Sequence, residues 1–161
     1  MIVISDSSPL VSLSRIDRLE LLPQLYERVL IPEAVWNEVV ELGAGEPGAK
    51  EVETAKWIER HQVENRGLVK ALRQELDAGE SEAIALTLEV DGDVVLMDEK
   101  MGREVAHHFG VECTGTLGVL IEAKERGILE TVRPCLDELT GVGDFRVSDR
   151  LYRRVLEEAD E

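Results

Sequence analysis

Residues 79–106 read GESEAIALTLEVDGDVVLMDEKMGREVA, and the order of their patterns decides the fold class. ESEAIALTLEV, at 80–90, carries the apolar spacing of a helix. Asp91-Gly92 is a turn dipeptide. The apolar run at 94–97 is too short for a helix and reads as a strand. Asp98 closes that run, and a second helical pattern covers 100–109 until Gly110 stops it. Helix, short strand, acid, helix is the alternation of a parallel α/β sheet.

The same alternation extends in both directions. A strand at 2–5 precedes Asp6, and Ser8-Pro9 reads as a helix cap followed by proline at the first helical position. The next helical stretch, 17–25, ends or kinks at Pro23. A strand follows at 29–31, and Pro32 opens the helix PEAVWNEVVEL, which Gly43 stops. Gly43 to Gly48 is a loop. A helix at 49–60, a small strand at 62–64 and a helical stretch at 68–76 complete the first half. Downstream come a strand at 111–113, a helix at 116–126 stopped by Gly127 and a helical stretch at 129–139. Gly141-Val142-Gly143 reads as a break, and Ser148 caps a last helix to about 158. The chain is expected to be one α/β domain over 1–161, with a central, mostly parallel sheet of four to five short strands flanked by helices.

The 161 residues are enough for a hydrophobic core, and with 4% aromatics that core falls to Leu, Val, Ile and Ala. Cys113 and Cys135 do not form a disulfide framework, which fits a reducing, cytoplasmic setting. The opening MIVISDSSPL lacks the basic start and long apolar run of a signal peptide, and no stretch has the length of a membrane span. The net charge of −16 argues against broad nucleic-acid affinity. Two local basic strips stand against that background. Lys100, Arg103 and His107 share one helix; Arg146, Arg150, Arg153 and Arg154 cluster near the C-terminus. A solvated helical face is the plainer reading of the second strip.

Four carboxylates stand out. Asp6 and Asp98 each follow a strand, and sites in parallel sheets form beyond strand carboxyl ends. Either one also fits a turn or a helix cap. Glu38 shares a helix face with Ala34, Val35 and Leu42, so it points toward the sheet or its rim; Glu41 competes with it, and an ordinary boundary residue is the alternative. Glu80 aligns with Ala83, Ile84 and Thr87, yet Asp77 and Glu80 also have the offset of a capping box. Glu82 lies roughly 200° around the helix from Glu80. Two carboxylates ~5 Å apart repel by ~3 kcal/mol at an effective dielectric of ~20. Gathering four therefore calls for a cation, and oxygen-only ligands favour Mg²⁺ or Mn²⁺ over Zn²⁺.

At these residues the chain resembles the PIN-domain family of metal-dependent ribonucleases. IVISDSSPLVSL is similar to the family's opening strand, acid and following serine. IPEAVWNEVV resembles the helix that carries the second acid. The segment 79–106 resembles the stretch from the third acid through the next strand, and Asp98 follows Glu80 by 18 positions, a spacing that suits the family and selects Glu80 over Glu82. The MDEKMGR and TGTLGVLIEAKERG runs resemble a prokaryotic subgroup of small PIN proteins, many of them toxins of toxin–antitoxin modules.

The resemblance implies a PIN-like three-layer fold and an endoribonuclease that cleaves single-stranded RNA. Asp6, Glu38, Glu80 and Asp98 would be the catalytic and metal-holding acids for Mg²⁺ or Mn²⁺. Ser8, Lys100 and Arg103 would contact substrate. It also implies a small antitoxin partner and self-association. Two positions depart from the pattern: Glu80 stands where many members carry Asp, and Met101 where many carry a further acid. Glu99, beside that gap, is a partial substitute by position, yet is expected to point elsewhere. The departures motivate an alternative, a PIN-like protein-interaction module with weak or no catalysis. Phosphoryl transfer through Asp6 on another open α/β fold ranks lower, because Ser7-Ser8 follow it and no G-x-x-x-x-G-K loop occurs.

Overall fold

Short apolar runs flanked by helices become a five-stranded parallel sheet in the computed structural model, which describes residues 1–142 and 145–161. The strands are β1 (Val3–Ser5), β2 (Val29–Pro32), β3 (Ile58–His61), β4 (Val94–Leu96) and β5 (Cys113–Thr114), in the order β3-β2-β1-β4-β5. All four pairings are parallel, with Val3 opposite Val29 and Val94. The direction of strand addition reverses between β1 and β4, which makes that edge the switch point where open α/β sheets build their sites.

The strands alternate between two cores, as a period of two requires. Val3, Val29, Ile31, Val94 and Leu96 join one apolar cluster; Ile4, Leu30, Val95 and Met97 join the other. Helices α1 (Ser7–Arg15), α2 (Leu21–Tyr26), α3 (Glu33–Trp36) and α4 (Ala49–Thr54) bring buried residues to the first cluster. On the second cluster lie α5 (Arg66–Leu72), α6 (Ala78–Glu89) and α7 (Lys100–His108). Helices α8 (Thr116–Glu125), α9 (Arg133–Val142) and α10 (Asp149–Glu158) return to the first. Helix, sheet and helix layers thus form the expected three-layer α/β fold.

Several boundaries differ from the sequence reading. The helix expected at 49–60 stops at Thr54, and the strand expected at 62–64 lies at Ile58–His61. β3 is an edge strand, partly exposed along its length, so it lacks the apolar run that marks the inner strands. Pro23 neither ends nor kinks a helix; it lies in the first turn of α2, where a missing N–H costs nothing. The stretch expected from residue 17 starts later because Asp17 adopts φ 56° and separates α1 from α2. Gly141 and Val142 close α9, so the expected break fails there, and its Gly143 lies outside the described residues. Ser148 does cap α10, accepting the Leu151 N–H at 3.1 Å. No helix among the described residues is long and apolar enough to cross a membrane.

Candidate functional site

β1 delivers Asp6 to the switch-point edge, where its backbone N–H donates to the Leu96 carbonyl at 2.9 Å. Its side chain is only 5% exposed. A Cβ on Gly79 would lie 3.0 Å from Asp6 Oδ1 and 3.2 Å from Glu38 Oε2. Two carboxylates therefore close over the first turn of α6, and only glycine leaves them that space. The helix N-terminus beneath them favours negative charge. Burial pushes Asp6 from 3.8 up to about 8; a backbone hydrogen bond at Ser7 opposes the shift, and the charges of Asp77, Glu80 and Glu38 add to it.

Glu38 reaches this point from a π-helical turn, Asn37–Glu41, which continues α3. The wider turn re-aims the residues it contains, and such turns recur at functional sites. The carboxyl of Glu38 is raised by burial and by Asp77. Ser7 Oγ approaches it closely enough to offset part of that shift, yet is buried without hydrogen-bonding geometry to any group among the described residues.

Glu80 makes the capping box, and its charge also bears on Asp6. It forms the capping box with Asp77: Asp77 N–H donates to Glu80 Oε1 at 3.1 Å, and Glu80 N–H donates to Asp77 Oδ1 at 2.8 Å. Its Oε2 lies 3.2 Å from where a Cβ on Gly102 would stand. Burial raises the Glu80 carboxyl, the bond from Asp77 N–H lowers it, and the charges of Asp77 and Glu99 raise it again. The charge of Glu99 is thus near enough to Glu80 to be felt. Asp77 is the acid that sequence reasoning confined to a cap. Its charge acts on Asp6, Glu38 and Glu80 together, because the N-terminus it caps is where they meet. Glu82 turns away, as the helical angle required. It accepts the Ala34 N–H at 3.1 Å and pairs with Arg66 at 3.2 Å.

Asp98 does not cap the helix that follows it. Its Oδ1 accepts the Thr116 N–H at 2.7 Å, and its Oδ2 accepts Thr116 Oγ1 at 2.8 Å and Ser8 Oγ at 2.7 Å. Asp98 thereby serves the N-terminus of α8 and ties it to α1. Ser8 is not the cap of α1 either. That helix begins at Ser7 with Asp6 in the N-cap position, which frees the Ser8 hydroxyl to cross to Asp98. The four acids expected from sequence so divide: Asp6, Glu38 and Glu80 gather with Asp77 around the start of α6, while Asp98 is held beside them by three donors.

Lys100 and Arg103 lie on α7, and both line an open groove beside Asp98 with His107, Glu104 and Glu112. Arg103 also borders a second groove on the α8–α10 side of Asp98. Neither cation makes an ion pair among the described residues.

A five-stranded parallel sheet with carboxylates gathered at its switch point defines an open α/β protein with an acidic site. Residues 2–161 match a family model described as a PIN domain, and the chain belongs to the PIN-domain family. That family places it among nuclease-type hydrolases, which generally use divalent metal ions. No curated protein matches the chain.

The residues at the site fit a hard divalent cation. No group of three or more His, Cys, Asp or Glu side chains among the described residues stands ready to hold an ion. Mg²⁺, however, keeps several waters and commonly takes one or two carboxylates. Asp6 and Glu38 supply such a pair over Gly79, and the unpartnered Ser7 hydroxyl beside them offers a hydrogen-bond group to a bound water.

Proposed function

We propose that the protein is a divalent-metal-dependent endoribonuclease that cleaves single-stranded RNA, and that it acts as the toxin of a toxin–antitoxin pair. The observation that carries this reading is the convergence of Asp6 and Glu38 over Gly79, with Asp6 held near neutrality by burial and neighbouring acids. Asp6 and Glu38 would hold Mg²⁺ or Mn²⁺ directly, with Glu80 and Asp98 completing the acidic set through water. When bound, the ion lowers the pKa of a water and neutralises charge on the phosphate. The protein's own groups set the geometry. Asp77 fixes Glu80 through the capping box, and Ser8 and Thr116 fix Asp98. Buried Asp6 keeps its proton until a cation displaces it, so metal loading is coupled to proton release. Lys100 and Arg103 flank Asp98 and would neutralise strand phosphates there.

The test is Mg²⁺- or Mn²⁺-dependent cleavage of single-stranded RNA, measured beside Asp6→Asn and Glu38→Gln. Loss of cleavage in both variants supports the reading; cleavage that continues unchanged in either overturns it. A small antitoxin partner and self-association belong to the same proposal, and co-expression with the product of a neighbouring reading frame tests the former.

Two observations favour a second reading, a protein-interaction module with little or no catalysis. Asp98 is engaged by three donors, and Met101, which stands where the family resemblance implies a further acid, is 51% exposed. Calorimetry with Mn²⁺ separates the two: heat of binding that Asp6→Asn abolishes favours the nuclease, and its absence in the intact protein favours the module.

A further inference from the structure

The groove on the α8–α10 side of Asp98 carries a charge balance unlike the rest of the chain. Acids outnumber bases 34 to 18 overall. Among the described residues that line it, Arg103, Arg146 and Arg154 stand with two acids, Asp98 and Glu158, and Arg154 is tied to Glu158 at 3.3 Å. Arg103 and Arg146 make no ion pair among the described residues. The arginines come from two distant segments, α7 and the C-terminal stretch 145–158, and only the fold brings them to one groove. Leu117, Ile121, Phe145 and Leu151 provide its apolar wall, half-buried against the core beneath. Cations beside an aromatic and aliphatic wall suit a single nucleic-acid strand, whose phosphates need charge and whose bases need a stacking surface. The groove shares Asp98, Arg103 and Cys113 with the open groove that Lys100 lines, so a strand lying in it passes Asp98, the one acid of the proposed set that borders it.

We infer that this groove is the track along which the RNA strand enters or leaves the acidic site, with Arg146 and Arg154 gripping phosphates remote from the scissile bond. The inference rests on the ribonuclease reading above and adds substrate-positioning residues to it. A segment of a partner protein bearing acidic side chains is the competing occupant.

The experiment compares the full chain with Arg146→Ala/Arg154→Ala and with a charge-matched control, Arg73→Ala/Arg153→Ala, whose positions border neither groove. Fluorescence anisotropy with labelled oligouridine in Ca²⁺ gives Kd, and cleavage in Mn²⁺ gives KM and kcat. The groove variant is expected to weaken Kd and raise KM about 10-fold, to leave kcat within about twofold, and to lower the slope of log K against log salt by about 1.4, while the control stays near the intact protein. Equal behaviour of the two variants overturns the track and leaves the nuclease reading standing. A groove variant that keeps its RNA affinity but loses affinity for a polyglutamate peptide makes the groove a protein-docking surface and overturns the track as well. Failure of the intact protein to bind or cleave RNA overturns the reading beneath the track, and the track with it.

Discussion

Ser8 and Asp98, ninety positions apart, meet at 2.7 Å, where the serine hydroxyl donates to Asp98 Oδ2. The bond joins the start of α1 to the end of β4, and Thr116 completes it from α8 with a backbone and a hydroxyl donor. Hydrogen bonds to charged groups contribute about 1.5–3 kcal/mol. Ser8→Ala is expected to cost about that much in urea unfolding, and Thr116→Val a similar amount. Because both act on one carboxylate, the double variant should depart from the sum of the singles. Strict additivity would show that Asp98 is not a shared clamp.

Stability without metal should depend on pH in an unusual direction. Between its ordinary value of 3.8 and about 8, folded Asp6 holds a proton that unfolded Asp6 has released. The folded state therefore binds more protons, and stability falls as pH rises through that window. Glu38 and Glu80 are raised as well and act in the same sense. Urea midpoints measured in EDTA should drop across the window, and Asp6→Asn should flatten the slope. Mn²⁺ should stabilise most at the high-pH end, where no proton need leave. A midpoint that rises with pH in EDTA would contradict the burial of Asp6 among acids.

Gly79→Ala tests the meeting of Asp6 and Glu38. The added methyl would stand 3.0 and 3.2 Å from their oxygens, close enough to push both carboxylates aside by a few tenths of an ångström. Alanine's better helix propensity, about 1 kcal/mol, works against that strain. Folding stability is thus expected to change by less than about 1 kcal/mol, while calorimetric Mn²⁺ affinity falls at least about 10-fold. Unchanged affinity would mean the ion does not use this pair.

Glu82 and Glu80 should separate cleanly. Glu82→Ala removes the acceptor of a helix-start N–H and the partner of Arg66, and is expected to cost about 1–3 kcal/mol in unfolding with Mn²⁺ binding retained. Arg66→Ala, at an exposed cation, should cost less than about 1 kcal/mol. Glu80→Ala should weaken the metal. The reverse pattern would exchange the two roles.

The sequence by itself determined the helix and sheet layers and the parallel run of the strands, while their order in the sheet came from the structure. Apolar runs such as 94–97 flanked by helical periods require a parallel sheet, because only helices can carry the chain back over it. It also placed Asp6 and Asp98 at strand ends and Glu82 away from Glu80, since pleat and helix pitch are local geometry. The edge strand β3 escaped it because half-exposed strands carry no continuous apolar signal. What tertiary structure decided was company. Glu38 comes from a π turn, a start of α1 two residues early frees Ser8 for Asp98, and Asp77 proves to belong with the acids as well as to its cap. The Ser8–Asp98 bond and the action of Asp77 on Asp6 depend on atoms brought together from distant segments, and a hydrogen bond forms only at contact distance. Periodicity along one chain records which face a residue takes, and not what meets it there.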